Sequence, residues 1–522
     1  MKFIFLFFLL ILSLSVTSCD NNTSESDIDN CKGNPCASSP IPHKTVCKVT
    51  ESSFTCICED GYELNGSLCK EKTIDLCKDK QCDEHSSCKV INNSAQCVCD
   101  SGYTRGENKC EEIKDNNLHR IWTDNNYTEN SGITLTTDNE NNIVIAGYTS
   151  SKLIFNDELQ KEVPTEADTT VRKYSANGEL LWEKVWHNEI YDNPVAIVTD
   201  KNNNIFIAGE KGSDDFRVFL IKISPDGNKI WTKEWGCENG LLVWDMDMDN
   251  EGNMYITGRT YSHFNNTTSK GGISDSFLIK VKDNGASASE LWIKQWGTDK
   301  MDEGKAIIIK NDNIFVLTEN NGDSDIPDDQ GSIKWDFNIT KFDKNGNIVS
   351  DNNWIKGLID TYVVDFLIDD DNNFYIVGDS PKNFDGHVNN GDNDIFIIKL
   401  DSNFSKKWSK LIGSEYYDTI NSITIDKNHN IFLGGHSFGS MGGWTNPGEG
   451  VESDALLIKM TNDEITEYKM FSSVNRLAGD SIMKVITDNH DNLLLTGVEN
   501  ADYIGDTQNL KSSGYLIRLT DF

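Results

Sequence analysis

The sequence predicts an all-β protein: a seven-bladed β-propeller whose N-terminal strand closes the last blade, preceded by two small disulfide-rich modules. Two observations lead to this prediction. Of the 14 cysteines, 12 lie between positions 31 and 110 and form two sets of six with similar spacing. From about residue 117 onward one pattern recurs seven times, and such self-similarity is the signature of a repeat architecture. At 522 residues the chain has room for several domains.

Residues 1–18 have the features of an export signal. A single lysine precedes an apolar run from Phe3 to Leu14, shorter than the roughly 20 apolar residues that a membrane-spanning helix needs. The run ends in Val16-Thr17-Ser18-Cys19, which resembles the bacterial lipobox. The resemblance implies that Cys19 is acylated and begins the mature chain, so that a lipid anchor holds the protein in the outer membrane or at the cell surface. The alternative is an ordinary signal peptide with a chance cysteine, and therefore a secreted protein.

The charge limits the partners of the folded part. The formal net charge is −35 at pH 7, with 83 acidic and 48 basic side chains. Electrostatic repulsion therefore disfavours nucleic acid and anionic lipid surfaces as partners. The acidity itself indicates solubility, and cation binding is the alternative interpretation.

The cysteine spacing predicts two small modules, at residues 31–69 and 77–110. The two sets are Cys31, Cys36, Cys47, Cys56, Cys58 and Cys69, then Cys77, Cys82, Cys88, Cys97, Cys99 and Cys110. Modules of about 40 residues bury too little apolar surface to be stable alone, so disulfides must stabilise them. Disulfides persist in oxidising compartments, in agreement with export. The spacing alone leaves every pairing within each set open.

Both modules resemble the EGF-like domain. The resemblance lies in the Cys-x-Cys steps at Cys56–Cys58 and Cys97–Cys99, followed by Gly61-Tyr62 and Gly102-Tyr103. It implies that the first cysteine of each set pairs with the third, the second with the fourth and the fifth with the sixth. The implied disulfides are Cys31–Cys47, Cys36–Cys56, Cys58–Cys69, Cys77–Cys88, Cys82–Cys97 and Cys99–Cys110.

The segment before the first module, residues 19–30, is predicted to be a tether. Some EGF-like domains bind calcium through an acidic stretch before the first cysteine, and Asp27-Ile28-Asp29-Asn30 resembles that stretch. Carboxylate and carbonyl oxygens suit calcium. However, Val49 and Val90 stand where calcium-binding members carry a side-chain oxygen. Calcium at the first module and a plain acidic linker both remain open.

The repeated pattern of residues 117–522 combines alternating apolar residues, an Asp, an Asn-rich turn and several β-forming residues. The seven copies end at Gly147, Gly209, Gly258, Thr318, Gly378, Gly435 and Gly497. Six have an Asp nine residues before the Gly: Asp138, Asp200, Asp249, Asp369, Asp426 and Asp488. The fourth has Lys310 and a turn one residue shorter. The pattern predicts a tight hairpin in which the carboxylate accepts bonds from turn amides and an Asn adopts positive φ.

The same structural role is favoured over metal ligation for the acidic residues near Asp249. Asp245 and Asp247 alternate with Trp244, Met246 and Met248, as they would in a strand. A calcium loop is therefore not predicted here.

A second pattern follows each hairpin. It consists of an apolar strand that ends in Lys or Arg, a turn, and a strand with Trp, as in FLIKISPDGNKIWTKEW at 219–235. Each repeat therefore supplies four strands, as a propeller blade requires. The last copy stops one strand short, and residues 118–122 match the missing strand. This N-terminal strand is predicted to complete the seventh blade and hide two sheet edges.

These repeats resemble the bacterial β-propeller repeats known as SBBP repeats. The family pattern D-x-x-G-N-x-Y-x-T-G is best matched at Asp249–Gly258, and the resemblance covers about 117–522. It implies a secreted or surface protein, but the family has no established chemistry to transfer.

The long variable loops of the propeller are the predicted ligand face, because loops on a rigid scaffold commonly carry binding sites. They lie at 149–169, 259–275, 319–336, 379–393, 436–453 and 499–513. The candidate residues there are Tyr261, His263, Phe264, Trp335, Phe384, His387, Phe438, Trp444 and Tyr503. For each of them, packing of the loop against itself is the alternative.

The sequence predicts no catalytic residues and no cofactor apart from the calcium alternative. Ser224-Pro225-Asp226-Gly227 is an imperfect match to the Asp-box turn of sialidases, and the scattered histidines lack metal-binding spacing. Cys237 is predicted to be a small packed residue. The expected function is a lipid-anchored surface protein for binding, adhesion or scaffolding, with an extracellular protein or glycan as partner. A purely structural envelope protein, or a propeller enzyme such as a glycosidase, is the alternative.

Overall fold

The structure is a computed structural model. It describes residues 46–50, 53–57, 62–65, 68–71, 78, 80–82, 86–91, 94–99, 103–105, 110–112, 118–123, 130–156, 161–186, 192–212, 216–264, 267, 271–321, 334–359, 361–444, 446, 452–471, 479–501 and 511–520. Contacts divide the chain into two compact units, one of residues 1–82 and 88–97 and the other of 83–87 and 98–522. Within the described ranges no helix is long and apolar enough to cross a membrane.

Four short antiparallel hairpins occupy the N-terminal part. They pair β1 (Val46–Thr50) with β2 (Ser53–Ile57), β3 (Tyr62–Asn65) with β4 (Leu68–Glu71), β5 (Ser86–Ile91) with β6 (Ser94–Cys99), and β7 (Tyr103–Arg105) with β8 (Cys110–Glu112). A disulfide joins Cys82 to Cys97, one of the six pairs that the EGF-like resemblance implies. The side chains of the other module cysteines, Cys19 and the stretch Asp27–Asn30 lie outside the described residues.

The C-terminal part is a seven-bladed β-propeller, as the sequence predicts. Its 28 strands form seven four-stranded antiparallel sheets. Blade 1 consists of β10 (Asn130–Thr137), β11 (Ile143–Asn156), β12 (Lys161–Tyr174) and β13 (Leu180–Trp186). Blade 2 consists of β14 (Asp192–Thr199), β15 (Ile205–Lys211), β16 (Arg217–Ile223) and β17 (Lys229–Trp235). Blade 3 consists of β18 (Leu241–Met248), β19 (Asn253–Thr260), β20 (Asp275–Asp283) and β21 (Ala288–Trp296). Blade 4 consists of β22 (Asp302–Lys310), β23 (Asn313–Asn321), β24 (Lys334–Phe342) and β25 (Ile348–Ile359).

The remaining blades follow the same order. Blade 5 consists of β26 (Tyr362–Ile368), β27 (Phe374–Ser380), β28 (Asp394–Leu400) and β29 (Lys406–Ile412). Blade 6 consists of β30 (Asp418–Ile425), β31 (Ile431–Ser437), β32 (Asp454–Thr461) and β33 (Glu464–Phe471). Blade 7 consists of β34 (Asp480–Thr487), β35 (Leu493–Ala501), β36 (Lys511–Leu519) and, from the start of the domain, β9 (Leu118–Thr123).

The ring is closed by two sets of contacts. Strand β9 pairs antiparallel with β36, with Trp122 opposite Leu516 and Leu118 opposite Leu519. The first strand of every blade contacts the first strand of the next, including β34 with β10. The first strands therefore surround the central channel, and the predicted closure by the N-terminal strand is confirmed.

The repeated Asp caps the hairpin between the first and second strands. In blade 1, Asp138 Oδ1 accepts hydrogen bonds from the backbone N–H groups of Glu140 and Asn142, and the Asn142 side chain donates to Asp138 Oδ2. Asn141 in the same turn has φ of 63°. The same three contacts recur at Asp200, Asp249, Asp426 and Asp488, and Asp369 accepts both bonds from Asn373, which confirms the predicted turn. In blade 4 a two-residue turn with Asn311 and Asp312 at positive φ replaces it, as a type I′ hairpin requires.

The Gly at the end of each copy faces a β-bulge in the first strand. In blade 3 the bulge lies between Val243 and Asp245, opposite Gly258. A Cβ on Gly258 would stand 1.9 Å from the Leu242 carbonyl oxygen, so no other residue fits there.

The apolar core lies between neighbouring blades. One cluster joins Phe206 and Trp231 of blade 2 to Met254 and Phe277 of blade 3, and similar clusters follow around the ring. One predicted loop differs: most of 149–169 belongs to β11 and β12, which continue as one long hairpin beyond the blade.

Candidate functional site

The ends of the propeller differ because adjacent strands of a blade run antiparallel. The connections between second and third strands lie at the same end as the connections into the next blade. We call this end the loop face. The Asp-capped turns lie at the opposite end.

Three of the predicted ligand residues are buried and anchor their loops instead. Phe264 and Phe384 are at most 1% exposed and Trp335 is 6% exposed. The Phe384 ring stacks on Phe396 with centroids 4.4 Å apart, and Phe264 meets Phe277 edge-on at 5.4 Å. Assigning Phe264, Trp335 and Phe384 to a ligand face was therefore wrong, because their apolar surface belongs to the core.

A short sequence pattern could have identified one of these anchors, Phe384. Phe384-Asp385-Gly386-His387 and Met441-Gly442-Gly443-Trp444 have an apolar residue, a Gly and an aromatic ring at the same spacing. In both, the first and fourth residues exchange two backbone hydrogen bonds. The first residue points inward in each loop, since Met441 is buried like Phe384. The fourth residue is therefore the one that reaches the surface.

The other predicted residues differ in exposure. His263 is exposed, whereas Tyr261 and Phe438 are half-buried. His387 Nε2 lies 3.3 Å from Ser409 Oγ, and Trp444, which is 45% exposed, donates its indole N–H to the Tyr468 carbonyl at 2.7 Å. Tyr503 lies outside the described residues. The sequence therefore located individual surface positions but not a common site.

A cluster of which the sequence predicted only Tyr261 lies where the central channel opens on the loop face. The side chain of Trp244, 37% exposed, projects from the bulge of β18. Lys305 Nζ stands 4.3 Å from its ring centroid, and the Arg259 guanidinium stands 6.0 Å from it. Arg259 also lies 5.0 Å from the Tyr261 ring. These distances are those of cation–π contacts. We call Trp244, Arg259, Tyr261 and Lys305 the channel-mouth cluster.

Acidic residues hold the two cations of this cluster in place. Arg259 pairs with Glu303, and Lys305 Nζ lies 3.3 Å from Glu303 and 3.5 Å from Glu319. The neighbouring carboxylates raise the pKa of Lys305, although burial opposes them. Lys305 therefore remains charged beside the indole ring.

In five of the seven repeat copies, the residue directly after the copy links its blade to the next. Glu210 accepts a hydrogen bond from the Val243 N–H at 3.0 Å, and Glu319 from the Val363 N–H at 3.3 Å. Asp379 accepts from the Thr419 hydroxyl, and His436 Nδ1 lies 3.0 Å from Ser481 Oγ. Arg259 occupies the same position. The shared position of these residues, directly after a repeat copy, is visible in the sequence. Their partners are not, because they lie on the next blade and are distant along the chain.

Exposed aromatic residues continue from the cluster along the same rim. Tyr362 at the start of β26 and Tyr417 just before β30 are 43% and 45% exposed. Tyr417 packs on His436 and Phe438, with centroids 6.5 and 6.3 Å away. Burial is the main cause that raises the pKa of Tyr417, and Asp379 and Tyr362 raise it further. The rim therefore presents aromatic faces from blade 3 to blade 6.

Deeper in the channel, carboxylates bind the free edges of the first strands. Asp245 Oδ2 accepts the Ile307 N–H at 2.9 Å, and Asp247 Oδ2 accepts the Ile309 N–H at 2.7 Å. Lys484 reaches across from blade 7 to Asp365, 3.3 Å away. Asp245 and Asp247 lie in strand β18, as their alternation with apolar residues predicts.

The chemistry of the site favours binding. Burial raises the pKa of Glu210 and of Glu319 to about 7, a shift that catalytic carboxyls also show. Each of these groups, however, has one oxygen bonded to the backbone of the next blade. Burial lowers the pKa of His436 to about 4, which leaves its ring neutral at pH 7. Cys237 is half-buried, with Sγ 3.2 Å from the Gly240 carbonyl, and is a packed residue as predicted.

Comparisons with known proteins agree with the repeat architecture. Residues 407–440 match the model of the SBBP β-propeller repeat, a stretch that runs from β29 to just beyond β31. A WD repeat-containing protein of Acanthamoeba polyphaga mimivirus, itself uncharacterised, is 22% identical over 175 residues. That match covers 26% of this chain and only 13% of the relative's length.

Several solved structures are similar to the chain. The WD40 domain of Neurospora crassa Pan2 is 10% identical, with 75% of this chain and 90% of that chain covered and a TM-score of 0.41. The β-propeller domain of the trilobed protease from Pyrococcus furiosus is 11% identical, with 74% and 98% covered and a TM-score of 0.40. A protein of unknown function from Dyadobacter fermentans is 11% identical, with 64% and 97% covered and a TM-score of 0.41.

Proposed function

We propose that this protein is a non-catalytic binding protein that holds an extracellular protein or glycan on the loop face of its propeller. The observation that supports the proposal is the aromatic rim around the channel mouth. Trp244, Tyr362 and Tyr417 each expose more than a third of their surface there. Large apolar rings exposed beside polar groups are typical of interaction sites.

The surroundings of Trp244 also suit a binding role. Lys305 and Arg259 lie against its ring, and Glu303 and Glu319 fix these two cations. A side chain held in one position loses little conformational entropy when a ligand binds. Stacking on the indole combined with hydrogen bonds from the cations would recognise a sugar ring or a protein loop.

The proposal predicts that Trp244→Ala abolishes most of the binding. Ligands would first be identified by applying the full chain to glycan and extracellular-protein arrays. The dissociation constants of wild type and variant would then be compared by biolayer interferometry. Removing a central aromatic anchor commonly costs about 1.4 kcal/mol or more, a roughly tenfold rise in Kd.

Leu291→Ala is the matched control. Leu291 is 46% exposed on β21, the last strand of blade 3, away from the channel. It should leave Kd unchanged. An equal loss in both variants would contradict a site at the channel mouth. A chain that binds nothing on either array would favour the purely structural role.

We also propose that the protein is exported and anchored through a lipid on Cys19, with EGF-like modules between anchor and propeller. The sequence pattern Val16-Thr17-Ser18-Cys19 and the Cys82–Cys97 disulfide support this arrangement. Mass spectrometry of the native N-terminus should detect an acylated cysteine at position 19. An unmodified N-terminus at another residue would contradict the anchor and favour a secreted protein.

A further inference from the structure

Two fully buried aspartates lie together where blade 5 joins blade 6. Asp394 begins the third strand of blade 5, and Asp418 begins the first strand of blade 6. The Asp418 N–H donates to the carbonyl of Asn393 at 2.8 Å, which brings the two strand starts side by side. Both residues are 0% exposed.

Each of these carboxylates has one oxygen bonded and one without a partner. Asp394 Oδ2 accepts the Asn390 N–H at 2.8 Å. Asp418 Oδ2 accepts the N–H and the hydroxyl of Ser414, at 2.5 and 2.8 Å. The Oδ1 atoms of both aspartates are buried without a hydrogen-bond partner. A buried carboxylate oxygen without a partner is costly, so such groups usually face a cation or a proton.

Both carboxylates lie beside the backbone of residues 413 and 414. Asp394 Oδ1 is 1.9 Å from the point where a Cβ on Gly413 would stand, so only glycine leaves room for it. The next residue is Ser414, which binds Asp418. Burial is the main cause that raises the pKa of Asp418, to about 6, and the Asp394 carboxylate raises it further. Neither aspartate forms an ion pair with Lys or Arg in the described part of the chain.

The same arrangement recurs where blade 3 joins blade 4. Asp275 and Asp302 occupy the equivalent strand starts, and both are 1% exposed. Asp275 Oδ1 and Asp302 Oδ2 lie 2.7 and 2.6 Å from the point where a Cβ on Gly297 would stand. These two carboxylates therefore lie close together beside Gly297.

The strand register locates these positions at every junction. Aspartates occupy both positions at four junctions, in the pairs Asp168 and Asp192, Asp275 and Asp302, Asp394 and Asp418, and Asp454 and Asp480. At the other three junctions the residues are Arg217 and Leu241, Asp336 and Thr361, and Ser513 and Asn130. A role in ring geometry alone would not explain pairs of like charges at some junctions and none at others.

We propose that a calcium ion binds between Asp394 and Asp418, and that the pair Asp275 and Asp302 binds calcium at the junction of blades 3 and 4. The available donors are all oxygens, which hard cations prefer. Besides the two carboxylates, the hydroxyls of Ser414 and Ser437 lie beside Asp418. No set of three or more His, Cys, Asp or Glu side chains surrounds a common point in the described ranges. Backbone carbonyls and water would therefore complete the coordination. This inference is independent of the ligand-binding function proposed above.

The test is a calcium titration of the full chain after treatment with EGTA. Isothermal titration calorimetry should detect bound calcium, and millimolar calcium should raise the melting temperature, because a ligand that binds only the folded state stabilises it. Asp394→Asn with Asp418→Asn should remove one equivalent of bound calcium and part of the thermal shift. In EGTA this double variant should be at least as stable as wild type, because the repulsion between two buried charges is gone.

Asp371→Asn is the control, since Asp371 is an exposed turn residue. It should keep every calcium equivalent and the full thermal shift. The double variant should lose one calcium equivalent, whereas calcium at the acidic stretch before the first module would be unaffected by it. This difference separates the two sites. Terbium luminescence of the wild type, sensitised by Tyr416 and Tyr417, detects the same site without a variant. Absence of calcium binding, of a thermal shift and of terbium sensitisation would overturn the proposal and indicate that the paired aspartates share a proton.

Discussion

Single residues show where local sequence was sufficient and where it was not. The Asp-capped turns were predictable because Asp138 and its partner Asn142 are four residues apart, and both contacts are local. The contact of Glu210 with the Val243 N–H joins two blades and has no local signature. Phe384 was misassigned because an aromatic residue in a loop can face solvent or core, and the pattern that its loop shares with residues 441–444 was not recognised. Its ring faces the core, where it stacks on Phe396.

Buried carboxyl groups give the protein a predictable pH dependence. Glu319 is 1% exposed, and burial raises its pKa from 4.5 to about 7, although Lys305 opposes the shift. The folded state therefore binds a proton more tightly than the unfolded chain does. Between pH 4.5 and 7 folding takes up protons, so the free energy of unfolding falls as pH rises through this window.

Glu319→Gln should weaken the decrease in the free energy of unfolding with rising pH. The amide keeps an oxygen for the Val363 N–H but does not titrate. One unit of pKa shift corresponds to about 1.4 kcal/mol. Between pH 4 and pH 8 the free energy of unfolding of the variant should therefore rise by up to about 3 kcal/mol relative to that of the wild type. Urea unfolding at several pH values measures the difference. Parallel pH profiles for variant and wild type would contradict the assignment.

At the scale of strands and loops, periodicity predicted the blades and failed in the connections. The alternation in β18, with Met246 inside the core and Asp247 at the channel edge, is a property of any pleated strand. No comparable periodicity predicts whether a long connection forms a loop or extends the neighbouring strands. Residues 149–169 have the composition of a loop, yet β11 and β12 continue through most of it as paired strands. Trp244 and Lys305 of the channel-mouth cluster were not predicted because both belong to strands, whereas the predicted ligand residues all lay in the predicted loops.

At the scale of the whole molecule, stability depends on closing the ring. Strand β9 covers the edge of β36, and Ile121 packs against the cluster that contains Leu494 and Leu516. The sequence predicted this closure because the last repeat lacks one strand and residues 118–122 supply it. Counting the strands in each repeat does not depend on loop conformation. The closure was therefore predicted correctly, whereas the loops were not.

Deleting residues 112–123 should therefore destabilise the entire propeller, whereas deleting the chain up to residue 110 should have little effect on it. The first deletion exposes the edge of β36 and removes the backbone pairing of β9, where each hydrogen bond contributes about 0.5–1.5 kcal/mol. It also removes the contact of Ile121 with the core. A loss of several kcal/mol is a large share of a typical folding free energy of about 5–15 kcal/mol. Differential scanning calorimetry of both truncations side by side measures the effect. Equal melting temperatures would show that β9 does not hold the ring closed, because the sheet edge at β36 would then be stable without its partner.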